Sequence, residues 1–437
     1  MRITVVGLGK IGLPLAVQYA RKGYKVIGAD INQATVDLVN SGTEPFPGEH
    51  RLQEYLKEVV SRGNFTATSD TPEAVSESDV VVVAVPLFVD EEAKPDFSAM
   101  DAAATAIGKG LTPSTLVCFE TTVPIGTTRE RLTPILEEQS GLRAGTDFFV
   151  VFSPERVFTG RVFADLRRYP KLVGGLDDAS TERGVEFYRS VLDFDERADL
   201  NRSNGVWDMG SAEAAEFAKL AETTYRDVNI GLANQFAKHA DKIGVDVYKV
   251  IEACNSQPYS HIHQPGVAVG GHCIPVYPRL YLWSDPEATI VQAARDVNLS
   301  MPTYAVDILE LELGSLRGKA IAVLGVTYRG GVKEAAFSGV FPLVEILIQR
   351  GAKALVHDPM YTHSEILDFG WTPFVFGEPI DGAILQSDHD DYRLIVLEDL
   401  PGVQFLLDGR RFVATQDPRV SSIGGLLKAR REYQNNR

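Results

Sequence analysis

An α/β chain of two doubly wound domains joined by a long central helix is the fold class that three observations predict. Up to about residue 200, short apolar runs alternate with helical patterns, which calls for a parallel sheet covered by helices. From Ser211 to about Gly244 the composition shifts to Ala, Glu, Lys and Leu, with a small-residue face at Ala214-Ala215, Ala218 and Ala221, as one long helix requires. From Lys319 a second β/α alternation begins.

The elements follow in order. Strands are expected at Ile3–Val6, Lys25–Ala29, Val80–Val85, Leu116–Phe119 and Phe148–Phe152. The Val/Ala run at Val80–Val85 suits a strand buried on both faces. In the second half, strands are expected at Ala320–Leu324, Ala354–His357, Leu394–Leu397 and Phe405–Leu407. Arg350-Gly351-Ala352 repeats the helix–Gly–strand order of Arg21-Lys22-Gly23. The last dozen residues, ending Asn435-Asn436-Arg437, are polar and are expected to fray. The long helix is expected to connect domains and to meet a second copy, or to pack within one core.

Composition narrows the function. The 437 residues are 44% hydrophobic and 23% charged, as in a soluble globular protein. A formal charge of −16 speaks against a nucleic-acid or anionic-membrane surface. No apolar run reaches the ~18 residues of a spanning helix, and the chain enters its first strand without a basic-then-apolar leader. Cys118, Cys254 and Cys273 are odd in number and far apart, which fits reduced thiols in a cytoplasm.

Gly7-Leu8-Gly9-Lys10-Ile11-Gly12 lies between a strand and a helix, the context in which G-x-G-x-x-G cradles a pyrophosphate in a Rossmann-like domain. Gly7, Gly9, Ile11 and Gly12 are therefore candidate cofactor contacts. Asp30 ends the second strand, where a carboxylate accepts from ribose hydroxyls and repels a 2′-phosphate, so NAD is favoured over NADP. Val85-Pro86 and Thr121-Thr122 follow the next strands, at the carboxyl ends where ligands bind, although Thr121 and Thr122 can equally serve as helix caps.

Gly270-Gly271-His272-Cys273-Ile274-Pro275 places a thiol beside two glycines, and glycines let backbone approach a ligand closely. A hydride acceptor together with a nucleophilic thiol suggests oxidation past the aldehyde. Glu155, after the strand ending at Phe152, is a candidate base or sugar ligand; a structural ion pair is the competing reading. Lys219 sits mid-helix among small apolar residues and is a candidate oxyanion holder; a surface lysine is its competing reading. His261, His263 and His272 lack further ligands at zinc spacing, so no metal site is expected.

Five segments together resemble the nucleotide-sugar 6-dehydrogenases: Gly7–Gly12, Thr122–Thr127, Ser153–Arg156 with Pro170-Lys171, Ala215–Glu222 and Gly270–Pro275. The resemblance runs nearly end to end. It covers the UDP-glucose, UDP-N-acetylglucosamine and UDP-N-acetylmannosamine enzymes, and Ser-Pro-Glu-Arg and Gly-Gly-His-Cys stand nearer the N-acetylhexosamine branch. It implies oxidation of the C6 alcohol of a UDP- or dTDP-hexose to a uronic acid with two NAD in succession, as in polysaccharide biosynthesis, by a homodimer. It also implies an NAD-binding domain over 1–205, a helical dimerisation region with the cysteine loop over 206–310, and a nucleotide-sugar domain over 311–437. Cys273 then matches the nucleophile that carries a thiohemiacetal and a thioester, and Lys219 matches the oxyanion lysine. Thr122 and Glu155 match the residues that order water. Arg156, Gly270, Gly271, Tyr328 and Lys333 fall with Glu155 and Lys219 on the substrate side, and Arg329 on the cofactor side.

The chain departs from the pattern near the substrate. Thr223 stands where the family has Asn, Tyr277 where it has Asp, Tyr259 where it has Arg, Arg329 where it has Lys, and Ala336 where it has Arg. Two other readings use the same scaffold. A two-electron hydroxyacid-type dehydrogenase needs no cysteine, and a non-catalytic binding homologue gives no NADH.

Overall fold

The computed structural model describes residues 1–90, 94–415 and 417–425; the polar tail expected to fray lies outside them. The chain forms two compact units, Met1–Glu222 and Thr223 onward, and the boundary falls inside the helix Ala212–Ile243. That helix matches the expected Ser211–Gly244 closely.

Unit 1 holds β1 (Arg2–Val6), β2 (Lys25–Ala29), β3 (Phe65–Thr68), β4 (Val80–Val83), the ribbon β5 (Phe88–Val89) with β6 (Pro95–Asp96), β7 (Leu116–Phe119), β8 (Phe149–Phe152), β9 (Lys171–Gly175) and β10 (Val206–Asp208). Apart from the ribbon, they form one sheet in the order β10-β9-β8-β7-β4-β1-β2-β3. All neighbours are parallel except β8 and β9. The order reverses between β1 and β4, the place where a doubly wound sheet opens a crevice at its carboxyl edge. Every residue of β4, β7 and β8 is buried, because helices cover both faces. Cys118 points into the core shared with Val82, Tyr19 and Tyr188, while Phe119 packs on the other face with Val83 and Ile107. β4 stops at Val83, so Ala84 and Val85 belong to the following loop and not to the expected strand.

Unit 2 repeats the plan with β11 (Ala320–Leu324), β12 (Lys353–His357), β13 (Thr372–Pro373), β14 (Gly382–Leu385), β15 (Phe405–Asp408) and β16 (Val420–Ser422). The order is β13-β12-β11-β14-β15-β16, parallel throughout. The expected strand Leu394–Leu397 is not one. Its place in the sheet is taken by Gly382–Leu385, and Leu394–Val396 lie between two 3-10 turns with Leu394 77% exposed. A four-residue strand opened by glycine carries a weak local signal. Its burial between β11 and β15 supplies what the sequence pattern lacks.

Candidate active site

In unit 1 the turn Gly7–Ile11 joins β1 to the helix Gly12–Arg21 at the switch point. A Cβ on Gly12 would lie 1.8 Å from the carbonyl oxygen of Gly7, so the turn closes only on glycine. The helix has no side-chain cap and no acid in its first turn. Its leading N–H groups and positive dipole end therefore suit an anion. Asp30 accepts the Leu8 N–H at 2.8 Å on one carboxylate oxygen and the Asn32 N–H at 2.9 Å on the other. It braces the turn and keeps lone pairs for ribose hydroxyls. Val85 is half-buried and Pro86 exposed just beyond β4, and the Thr121 hydroxyl donates to the Val85 carbonyl at 2.6 Å. These features fit a dinucleotide without a 2′-phosphate.

Thr122 is buried in the loop after β7. That loop is fixed from the long helix: Glu216 accepts the Gly126 N–H at 2.6 Å, the Thr128 N–H at 2.9 Å and the Thr128 hydroxyl at 2.6 Å. A carboxylate, not Thr121 or Thr122, thus satisfies the backbone donors where the next helix begins.

Glu155 follows β8, and its surroundings come from strand direction. The antiparallel register Val151↔Gly175 and Phe152↔Gly174, continued, sets Lys171 opposite residue 155. The Lys171 ammonium pairs with the Glu155 carboxylate and, at 3.0 Å, with Glu120, the residue just after β7. Side-chain exposure is 5% for Lys171 and 1% for Glu120. Tyr188 donates to Glu120 at 2.6 Å and Tyr19 does so at 3.4 Å. Burial, with Glu155 close by, pushes the Glu120 carboxyl up to about 8. Lys219 is buried, and its ammonium donates to the Glu155 carbonyl at 2.7 Å, so it is not a surface lysine. The ion pair that competed with a chemical role for Glu155 is present. Arg156 pairs with Glu222 at 2.8 Å and reaches the Pro170 carbonyl at 3.4 Å. Thr223, one turn beyond Lys219 on the same helix, is buried.

In unit 2 Cys273 is exposed in the turn ahead of the helix Tyr277–Ser284, and its carbonyl accepts the Tyr277 N–H at 2.9 Å. The two preceding glycines serve packing. A Cβ on Gly270 would lie 2.5 Å from the Tyr328 Cβ, and Gly271 has φ +93° with the Tyr328 ring 3.1 Å from its would-be Cβ. The Gly271 N–H donates to the Ala336 carbonyl at 2.9 Å, and His272 Nε2 lies 3.4 Å from Glu334. The loop after β11 thus holds the cysteine loop from behind. On that loop Arg329 is exposed, its Nε donating to the Tyr328 hydroxyl at 3.2 Å, and Lys333 pairs with Glu365 beside the Tyr361 ring. Tyr259 is 92% exposed.

Four polar residues around these groups are absent from the sequence-based candidates: Glu120, Lys171, Glu216 and Arg410. Arg410 donates to the Gln386 carbonyl at 2.7 Å and to the Tyr328 carbonyl at 3.2 Å, a guanidinium held by neutral oxygens at the carboxyl edge of the second sheet. Glu120 and Lys171 do sit inside motifs that the sequence displays, beside Thr121-Thr122 and after Pro170. Nothing local marks them as partners.

Residues 1–192 match the NAD binding domain of the UDP-glucose/GDP-mannose dehydrogenase family, and residues 213–300 match its central domain. A UDP-N-acetyl-D-mannosamine dehydrogenase from Pyrococcus horikoshii is 34% identical, with 97% of this chain and 98% of that protein covered. An NDP-N-acetyl-D-galactosaminuronic acid dehydrogenase from Ralstonia solanacearum is 32% identical, with 90% and 91% covered. The solved structure of the Pyrococcus horikoshii UDP-D-ManNAc dehydrogenase superposes with a TM-score of 0.85 at 32% identity, over 98% of this chain and 100% of that one.

Proposed function

The chain belongs to the UDP-glucose/GDP-mannose dehydrogenase family and is an NAD-dependent nucleotide-sugar dehydrogenase, and from that premise we propose that it takes the C6 alcohol of a UDP-N-acetylhexosamine to the carboxylate through a thioester on Cys273. The names of the relatives favour N-acetylmannosamine as the sugar, in line with the Ser-Pro-Glu-Arg and Gly-Gly-His-Cys motifs. The observation that carries the reading is Cys273 itself. It is the one exposed thiol of three, held in a turn whose backbone is fixed by Tyr328 and Ala336.

Gly7, Gly9, Ile11, Gly12 and Asp30 would hold NAD, with Val85, Pro86 and Thr122 along the same edge. Bound there, NAD supplies a hydride acceptor that C6 uses twice. The C6 hydroxyl proton passes to water as C6 loses its first hydride to give the aldehyde, and the buried Lys219 steadies the C6 oxygen as negative charge builds on it, with Thr223 as a second donor in place of the family Asn. The Cys273 thiolate adds to the aldehyde carbon and gives a thiohemiacetal; loss of the second hydride from C6 leaves a thioester. Water oxygen then adds to the thioester carbon, one water proton passes to Glu155, and the C–Sγ bond breaks to return the thiolate. The other water proton leaves on the carboxylic acid, which ionises. Thr122 positions that water. Tyr277 stands where the family aspartate would assist. Arg156, Tyr259, Tyr328, Arg329, Lys333 and Arg410 are assigned to the sugar nucleotide or cofactor, Arg410 as a phosphate partner. Phe217, Tyr225, Leu232 and Phe236 leave the long helix with exposed apolar groups, which supports a homodimer along it.

The test is stoichiometry with sugar limiting over a panel of UDP- and dTDP-hexoses. About two NADH per sugar are expected, and Cys273→Ala should make no acid. A plateau at one NADH, or full turnover by Cys273→Ala, overturns the proposal.

A further inference from the structure

The cluster at the carboxyl edge of β7, β8 and β9 contains more ionisable groups than the reaction above uses. One lysine, Lys171, lies between two carboxylates, Glu120 and Glu155. With both carboxylates ionised, the cluster carries a net negative charge with little water around it. With one protonated it is neutral, which is the cheaper state for buried groups.

The surroundings decide which carboxylate takes the proton. Glu120 is the deeper, its side chain 1% exposed against 9% for Glu155. It is faced by Tyr19 from the helix Gly12–Arg21, Tyr188 from the helix Asp178–Val191, Cys118 from its own strand, Lys171 from β9 and Glu155 from the loop after β8. Lys171 also lies 4.7 Å from the Tyr188 ring centre, which holds it in place. Both tyrosine hydroxyls and the Cys118 thiol stay protonated, since burial pushes each well above its ordinary range. Among the groups named, the cations and carboxylates are then left to exchange a proton.

We propose that Glu120 is a positioning residue for thioester hydrolysis: acting through Lys171, it fixes the ammonium that holds the Glu155 carboxylate and so aims Glu155 at the attacking water. This rests on the reading of Glu155 given above. Lys219 joins the same unit through the Glu155 backbone, so the base and the oxyanion holder are located by one set of contacts.

The experiment follows acid release after a rapid NADH burst, from about pH 6 to pH 10, in the wild type, Glu155→Gln, Glu120→Gln, Glu120→Asp and Lys171→Arg. Glu120→Gln keeps the size of the side chain and weakens its hold on Lys171. Its acid-release rate should fall about three- to tenfold. KM for NAD and for the sugar nucleotide should stay within about twofold. Glu120→Asp, which keeps the carboxyl, should restore most of the rate. A Glu120→Gln profile that superposes on the wild type, or a loss that appears equally in KM, overturns the proposal. If Glu120→Gln does not fold, Lys171→Arg carries the same measurement, and a wild-type rate of acid release in it overturns the proposal. The outcome for Glu155→Gln separates the two layers. Hydrolysis at the wild-type rate sinks the role of Glu155 and this proposal together. An accumulating thioester with an unmoved Glu120→Gln profile sinks this proposal alone.

Discussion

Glu120 shows how burial turns an ordinary carboxyl into a pH-dependent one. In the unfolded chain it titrates in the usual glutamate range; in the native cluster it is pushed up to about 8. Between those values the native state holds a proton that the unfolded chain has released, so stability falls as pH rises. The contribution is complete below the unfolded value and lost as pH climbs through about 8. Glu120→Gln should therefore flatten Tm against pH between about 5 and 8, as scanning fluorimetry would read; an unchanged slope would contradict the assignment. Neither Glu120 nor Lys171 could be selected from sequence, because their pairing spans |i−j| = 51. Cys273 and Lys219 could be, since an unusual residue beside glycines or inside an alanine-rich helix is visible locally. Glycine at 270 and 271 was legible as a requirement, and the structure adds that Tyr328 leaves no room for a Cβ at either position.

At the scale of elements, the long helix does two jobs. It presents Lys219 on one turn, and through Glu216 it clamps the loop that carries Thr122. Glu216→Ala would strand the N–H groups of Gly126 and Thr128 in a buried site, at a cost of about 2–4 kcal/mol. Urea unfolding should show that loss as a lower midpoint with unchanged m. Acid release should slow as well, whereas a loop held by other contacts would leave the rate alone. The helix was legible end to end because thirty-odd residues of consistent composition leave little ambiguity. Strand β14 was not, because four residues opened by glycine look like a turn until two neighbours pair with them. Strands β9 and β10 were likewise missed, and with β9 the antiparallel turn that brings Lys171 to the active edge.

For the whole molecule, the glycine turn proposed to hold NAD and the thiol proposed to react lie in separate compact units, residues up to Glu222 and from Thr223. They should therefore be separable by mutation. At free NAD about a hundredfold above Kd, the native state gains about 2.7 kcal/mol. Cys273→Ala should keep that thermal shift in full, and Asp30→Ala should lose most of it. A Cys273→Ala protein with no NAD shift would show that the two functions cannot be parted. Against the net charge of −16, the donors proposed for anionic ligands are local: a helix N-terminus in the first unit, and Arg410 and the loop after β11 in the second.

The sequence by itself determined the doubly wound plan and the long helix, and it picked out the glycine turn and the thiol on which the proposed function rests. Each of these is encoded within a few consecutive residues, through periodicity, glycine placement or a distinctive side chain. Only the tertiary structure decided the company those residues keep: Lys171 between Glu120 and Glu155, Glu216 under the threonine loop, and Tyr328 behind the cysteine. Those contacts depend on strand order and on the one antiparallel neighbour in the first sheet. They join residues far apart in the chain, and no local pattern of polarity records which buried charge will meet which.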